Sequence, residues 1–111
     1  MAYHVERVNK IVERELSTIL LIEAKNPLLK YVSITKVSLT NDLSLATIWY
    51  SVIGKEDEIE ATKKALEESK GFLRSELSHR IDIRKTPDLK FKYDESLAYG
   101  KHIEELLKKS K

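Results

Sequence analysis

Apolar residues recur at three- and four-residue spacing from the start of the chain. Val5, Val8, Val12, Leu16, Ile19 and Leu20 share one stripe, which predicts a helix over residues 4–22 with one buried face. Opposite that stripe, at about 100° per residue, Arg7, Lys10 and Arg14 form a basic ridge at i, i+3 and i+7. Asn26-Pro27 breaks the pattern, because proline disfavours helical geometry in the residue before it and cannot continue the hydrogen-bond ladder.

Residues 31–39 are β-branched and alternating, and predict a first strand. Their apolar phase slips between Ile34 and Val37, which points to a bulge or to burial on both faces. Thr40-Asn41-Asp42 is turn chemistry. In residues 45–53, Ala46, Ile48, Tyr50 and Val52 fall on one face and Thr47, Trp49 and Ser51 on the other, so this is a second strand hairpinned to the first.

Glu56, Asp57 and Glu58 suit the positive end of a helix over residues 56–69 that turns Ile59, Thr62, Leu66 and Ser69 inward. The helical pattern resumes at once with Phe72, Leu73, Leu77 and Ile81, so two helices abut with only a kink at Ser69-Lys70-Gly71. Glycine inside a helix costs about 1 kcal/mol relative to alanine and marks a change of axis or a close backbone approach. The kink is therefore expected to need small side chains at Ser69 and Gly71. Beyond Pro87, Leu89, Phe91 and Tyr93 alternate with Lys90 and Lys92 in a third strand with one charged face. A last helix is predicted from Asp94-Glu95-Ser96, burying Tyr99, Ile103 and Leu106.

This order predicts a single α+β domain over residues 1–111, with helices on one face of a three-stranded sheet. The 111 residues suffice for one ordinary core. There is no cysteine, so disulfides and thiolate metal sites are excluded, and the composition fits a reducing compartment. Charged residues interrupt every apolar stretch of residues 1–22, which predicts neither a signal core nor a membrane span and a cytoplasmic protein.

Charge is distributed unevenly. The net value is only +2, yet residues 70–92 hold seven cations against three carboxylates, a local balance of +4, while residues 55–69 stand at −3. A concentrated positive face can hold a phosphate backbone even when the whole-chain charge is modest. The candidate RNA-binding set is Lys70, Arg74, Arg80, Arg84, Lys85, Lys90 and Lys92, with Arg7, Lys10 and Arg14 as a second surface. Its competing reading is solvated surface. Arg80 lies beside the apolar stripe and can snorkel instead of binding, and Glu6 and Glu13 can pair with the second set. Trp49 and Tyr50 are candidates either for base stacking or for packing against helices.

No catalytic constellation emerges. His4, His79 and His102 are scattered without ligand-like spacing, and the neighbours Glu67-Glu68 and Glu104-Glu105 point in different directions on their helices. Neither an enzyme activity, a metal, a cofactor nor a small-molecule substrate is expected.

The element order resembles the type II KH-domain arrangement. Ordinary KH modules join their central helices by a Gly-x-x-Gly loop that clamps nucleic-acid backbone, and here no such loop exists. In place of that loop the ribosome-binding factor A family carries a helix kink, typically Ala-x-Gly, which Ser69-Lys70-Gly71 resembles with serine first. The similarity extends over Arg7-Val8, Glu15-Leu16 and Ile19-Leu20, through Asp42-Leu43-Ser44, to Gly71-Phe72-Leu73-Arg74-Ser75-Glu76-Leu77. Its most specific stretch is Arg84-Lys85-Thr86-Pro87-Asp88-Leu89-Lys90-Phe91, followed by Asp94-Glu95-Ser96-Leu97 and Tyr99-Gly100.

The resemblance implies a monomeric ribosome biogenesis factor that binds the free 30S subunit and its 16S rRNA. It also implies a part in late maturation, including rRNA processing at the 5′ end, notably in the cold. A generic KH-like RNA-binding module and a protein-interaction domain remain the alternatives.

Overall fold

A computed structural model describes residues 2–82 and 85–95, with side chains from Val5 onward. Helix α1 (Ala2–Thr18) turns Val5, Val8, Val12 and Leu16 inward, as the stripe predicts. It runs on into one wider π turn, Ile19–Glu23, closed where the Ala24 N–H bonds to the Ile19 carbonyl at 3.0 Å. Ile19 and Leu20 are buried by this turn, whereas Leu21 and Ile22 are exposed.

Asn26 caps the next turn through its side chain, which accepts from the Leu28 N–H at 3.0 Å, and Pro27–Tyr31 form a short 3-10 helix. Tyr31, predicted as the first strand residue, closes that turn and is exposed, because the chain extends only from Val32.

Strand β1 (Val32–Leu39) pairs antiparallel with β2 (Leu45–Val52). Ile34 faces Tyr50 and Lys36 faces Trp49, so the predicted phase slip is a bulge at Thr35. In the hairpin turn the Asp42 carboxylate accepts from the hydroxyls of Thr40 and Ser44, each at 2.7 Å, and from the Ser44 N–H at 3.1 Å. These bonds, the Thr40 hydroxyl first, hold its pKa down at about 2. Leu43 sits at φ 61°, a conformation that costs an L-residue about 1–2 kcal/mol, and its packing against the core offsets the strain.

Helix α2 (Glu56–Glu68) opens with the Lys55 N–H donating to the Glu58 carboxylate at 3.1 Å. It buries Thr62, Ala65 and Leu66, and the Thr62 hydroxyl donates to the Glu58 carbonyl at 2.8 Å. Helix α3 (Lys70–Arg80) follows after the single residue Ser69, whose ψ of 1° breaks the helical run. Ser69 serves both helices: its N–H bonds back to Ala65 and its carbonyl accepts from the Leu73 N–H. Its side chain makes no capping bond, consistent with a kink that needs no hydroxyl. Gly71 departs from expectation. It is exposed, and a Cβ there would meet nothing within 4 Å, so packing inside the fold does not demand smallness at that position.

Strand β3 (Asp88–Tyr93) pairs with β2 in parallel, Leu45 opposite Asp88 through Tyr50 opposite Tyr93, giving the order β1-β2-β3. The two helices form the crossover that a parallel pair requires. With α1 packed on the inner side of β1 and α2 and α3 reaching β3, helices cover one face of the sheet. Between the layers lie Leu16, Ile19, Ile48, Leu66, Leu73 and Leu77, each contributing about 1.5–3 kcal/mol through burial. Tyr50 completes this core edge-on to Phe91 and Tyr93, with centroids 6.2 and 5.7 Å away, and burial pushes its phenol up to about 12. The last predicted helix lies outside the described residues.

Candidate nucleic-acid interface

Because the helices cover one sheet face, the candidate cations are divided among separate surfaces. The ridge Arg7, Lys10 and Arg14 lies on the side of α1 opposite its buried stripe, pointing away from the sheet. Arg7 and Lys10 are exposed with no ion pair to a described residue, and Arg14 approaches Glu15 only at 3.9 Å. Such an exposed pair is worth about 1 kcal/mol or less.

The α3 cations are engaged within the fold. Lys70 pairs with Glu67 across the kink at 2.8 Å. Arg74 reaches off α3 to the chain entering β3: its Nη2 donates to the Thr86 carbonyl at 2.9 Å and its Nε to the Pro87 carbonyl at 3.3 Å, with Asp88 Oδ1 also at 3.3 Å. Arg80, at the end of α3, donates to Glu23 in the π turn and lies 3.5 Å from Glu15 in α1. It ties the far ends of two helices together through carboxylate partners.

The hydrogen bond from Arg80, followed by one from Glu76, holds the Glu23 carboxyl below its usual 4.5. A carboxylate with a lowered folded pKa contributes stability that is present above its unfolded pKa and lost as pH falls through the folded one. An Arg80→Met chain is therefore expected to melt below the parent near neutral pH, with the gap narrowing as pH drops below 4.5. Thermal melts across that range check this; a gap independent of pH would mean that Arg80 acts through packing alone.

The other described cations of the set make no such ties among the described residues. Lys85 is exposed before β3, and Lys90 and Lys92 are exposed on the sheet face that the described helices leave open, none with an ion pair to a described residue. Arg84 lies outside the described residues. Lys36, which lies outside the basic stretch of residues 70–92 and carries no local charge signal, shares this face: the bulge at Thr35 sets it opposite Trp49, with its Nζ 5.1 Å from the ring centroid. Trp49 is partly exposed there and packs against no described helix, whereas Tyr50 is buried on the other face. Among the described residues no three His, Cys, Asp or Glu side chains are placed to hold a metal ion. His79 is exposed, and the side chains of His4 and His102 are outside the described set.

The ribosome-binding factor A of Macrococcus caseolyticus is 46% identical over 107 residues, covering 96% of this chain and 94% of that protein. That of Staphylococcus carnosus is 44% identical over 102 residues, covering 92% and 89%. In structure, ribosome-binding factor A of Thermus thermophilus superposes with a TM-score of 0.70 at 21% identity, over 80% of this chain and 94% of that one. A Thermus homology model of the factor, fitted into a cryo-EM map of a 30S complex, superposes at 0.60 with 20% identity, over 84% and 93%. The family model for ribosome-binding factor A matches residues 4–107. The helix-kink-helix α+β fold and the close relatives agree: the chain belongs to the ribosome-binding factor A family.

Proposed function

We propose that the protein binds the free 30S ribosomal subunit and assists its late maturation in the cytoplasm, including processing of the 5′ end of 16S rRNA. The match to the ribosome-binding factor A family over residues 4–107 carries this reading, and the fitted 30S complex of the Thermus factor supports it. The protein acts as a monomer and by binding alone, the cleavage of precursor rRNA falling to other enzymes. Contact is made by cations that have no ion pair among the described residues, Lys85, Lys90 and Lys92 first, with Arg7 and Lys10 as a second surface on the opposite side of the domain. Lysines meeting phosphates position a protein on RNA without reading its sequence, so the selectivity comes from the shape of the immature subunit.

Filter binding against purified 30S subunits, assembled ribosomes and unrelated structured RNA, at several salt concentrations, tests the proposal. Preference for free 30S subunits is expected. Equal affinity for all three would leave a generic RNA-binding module, and salt-independent binding to subunits would indicate a protein contact.

A further inference from the structure

On the sheet face turned away from the described helices, the pairing registers align side chains from all three strands. Lys36, Trp49 and Lys92 form one row across β1, β2 and β3, and Ser38, Thr47 and Lys90 form the next. The face thus carries one aromatic ring with a lysine on the strand to either side and a third lysine one step along. Among the described residues, carboxylates occur on this face only at the two ends of β3, and both are engaged: Asp88 with Arg74, and Asp94 by the Thr35 hydroxyl at 2.7 Å. Of the aromatic residues on the strands, Tyr50, Phe91 and Tyr93 belong to the inner face; Trp49 alone among the described strand aromatics is on the open one.

We propose that this face is a platform for single-stranded RNA, on which a base stacks against Trp49 while Lys36, Lys90 and Lys92 meet the flanking phosphates. The inference rests on the reading that the partner is RNA, and adds a strand-type preference and a stacking residue to it. Stacking on an exposed ring is available to every base, and cations spaced about one strand apart on both sides suit a backbone crossing the sheet. Double-stranded RNA, with its bases paired and stacked, cannot use the ring. Lys36 already lies over the indole, so an incoming base takes its place on the ring and leaves that ammonium to a phosphate.

Trp49 is the only tryptophan in the chain, so its fluorescence reports this face directly. Titration of the full chain with an unstructured oligouridylate and oligoadenylate is expected to quench it, and a duplex of equal length is not. Trp49→Leu is expected to weaken oligonucleotide binding roughly tenfold or more, with Trp49→Phe retaining part of the affinity. Lys36→Ala and Lys92→Ala are each expected to lower the log–log salt slope by about 0.7.

Absence of quenching by either oligonucleotide in the unaltered chain, or an indole shielded from acrylamide before RNA is added, would overturn the platform, whatever the variants do. Unchanged binding by Trp49→Leu with an unchanged melt would overturn it too. Failure here with preference for free 30S subunits intact would leave the proposed function standing, whereas quenching without that preference would leave the platform and remove the ribosomal role.

Discussion

An Arg74→Ala chain is expected to melt roughly 8–10 °C below the parent, a loss of about 2 kcal/mol at about 4–5 °C per kcal/mol for a domain of this size. Charge pattern alone places Arg74 among the candidate RNA-binding cations, whereas in the fold it has partners of its own. Its guanidinium bonds two carbonyls, of Thr86 and Pro87, and sits beside Asp88, fastening α3 to the start of β3. Hydrogen bonds from a charged donor contribute about 1.5–3 kcal/mol each, discounted here because the side chain is 41% exposed. Arg74→Lys should restore little, since an ammonium cannot reproduce the planar fork that spans two carbonyls. A phosphate ligand behaves in the opposite way, tolerating lysine and leaving the melt unchanged. Thermal melts of both variants, beside their 30S affinities, separate the two roles.

Removing Lys85, Lys90 and Lys92 together has the complementary signature. The three are exposed and make no ion pair to a described residue, so the melt should stay close to that of the parent. Binding to the 30S subunit should fall by about two orders of magnitude at low salt, and the salt slope should shrink by about 2–3 units, close to one for each phosphate that no longer meets a cation. Removing Arg7, Lys10 and Arg14 instead serves as the comparison. If that set and not the β3 set reduces the slope, the contact surface lies on the outer side of α1.

Much of the fold is legible from residue order. The stripe Val5 to Leu20 marks α1 because burial of one helical face is a local, periodic requirement, and the slip between Ile34 and Val37 marks the bulge because strand alternation has a period of two. The kink is legible to within two residues, since Ser69-Lys70-Gly71 marks it and the break falls at Ser69, with Gly71 already inside α3. The candidate site is legible as composition only: residues 70–92 are basic, yet periodicity says nothing about which of those cations find an internal partner.

That selection needs contacts across long stretches of chain. Arg80 meets Glu23 across 57 positions, and Thr35 meets Asp94 across 59. Strand β3 pairs in parallel with β2 and thereby sets Lys92 beside Trp49 and Lys36, a register that depends on how α2 and α3 cross over. The elements, their buried faces and the local charge can be read along the chain, because propensity and burial act over a few residues. That Arg74 and Arg80 hold helices in place while Lys36, Lys90 and Lys92 stand around one tryptophan emerges only when the chain is folded, because side-chain partners follow from the packing of elements that are far apart in sequence.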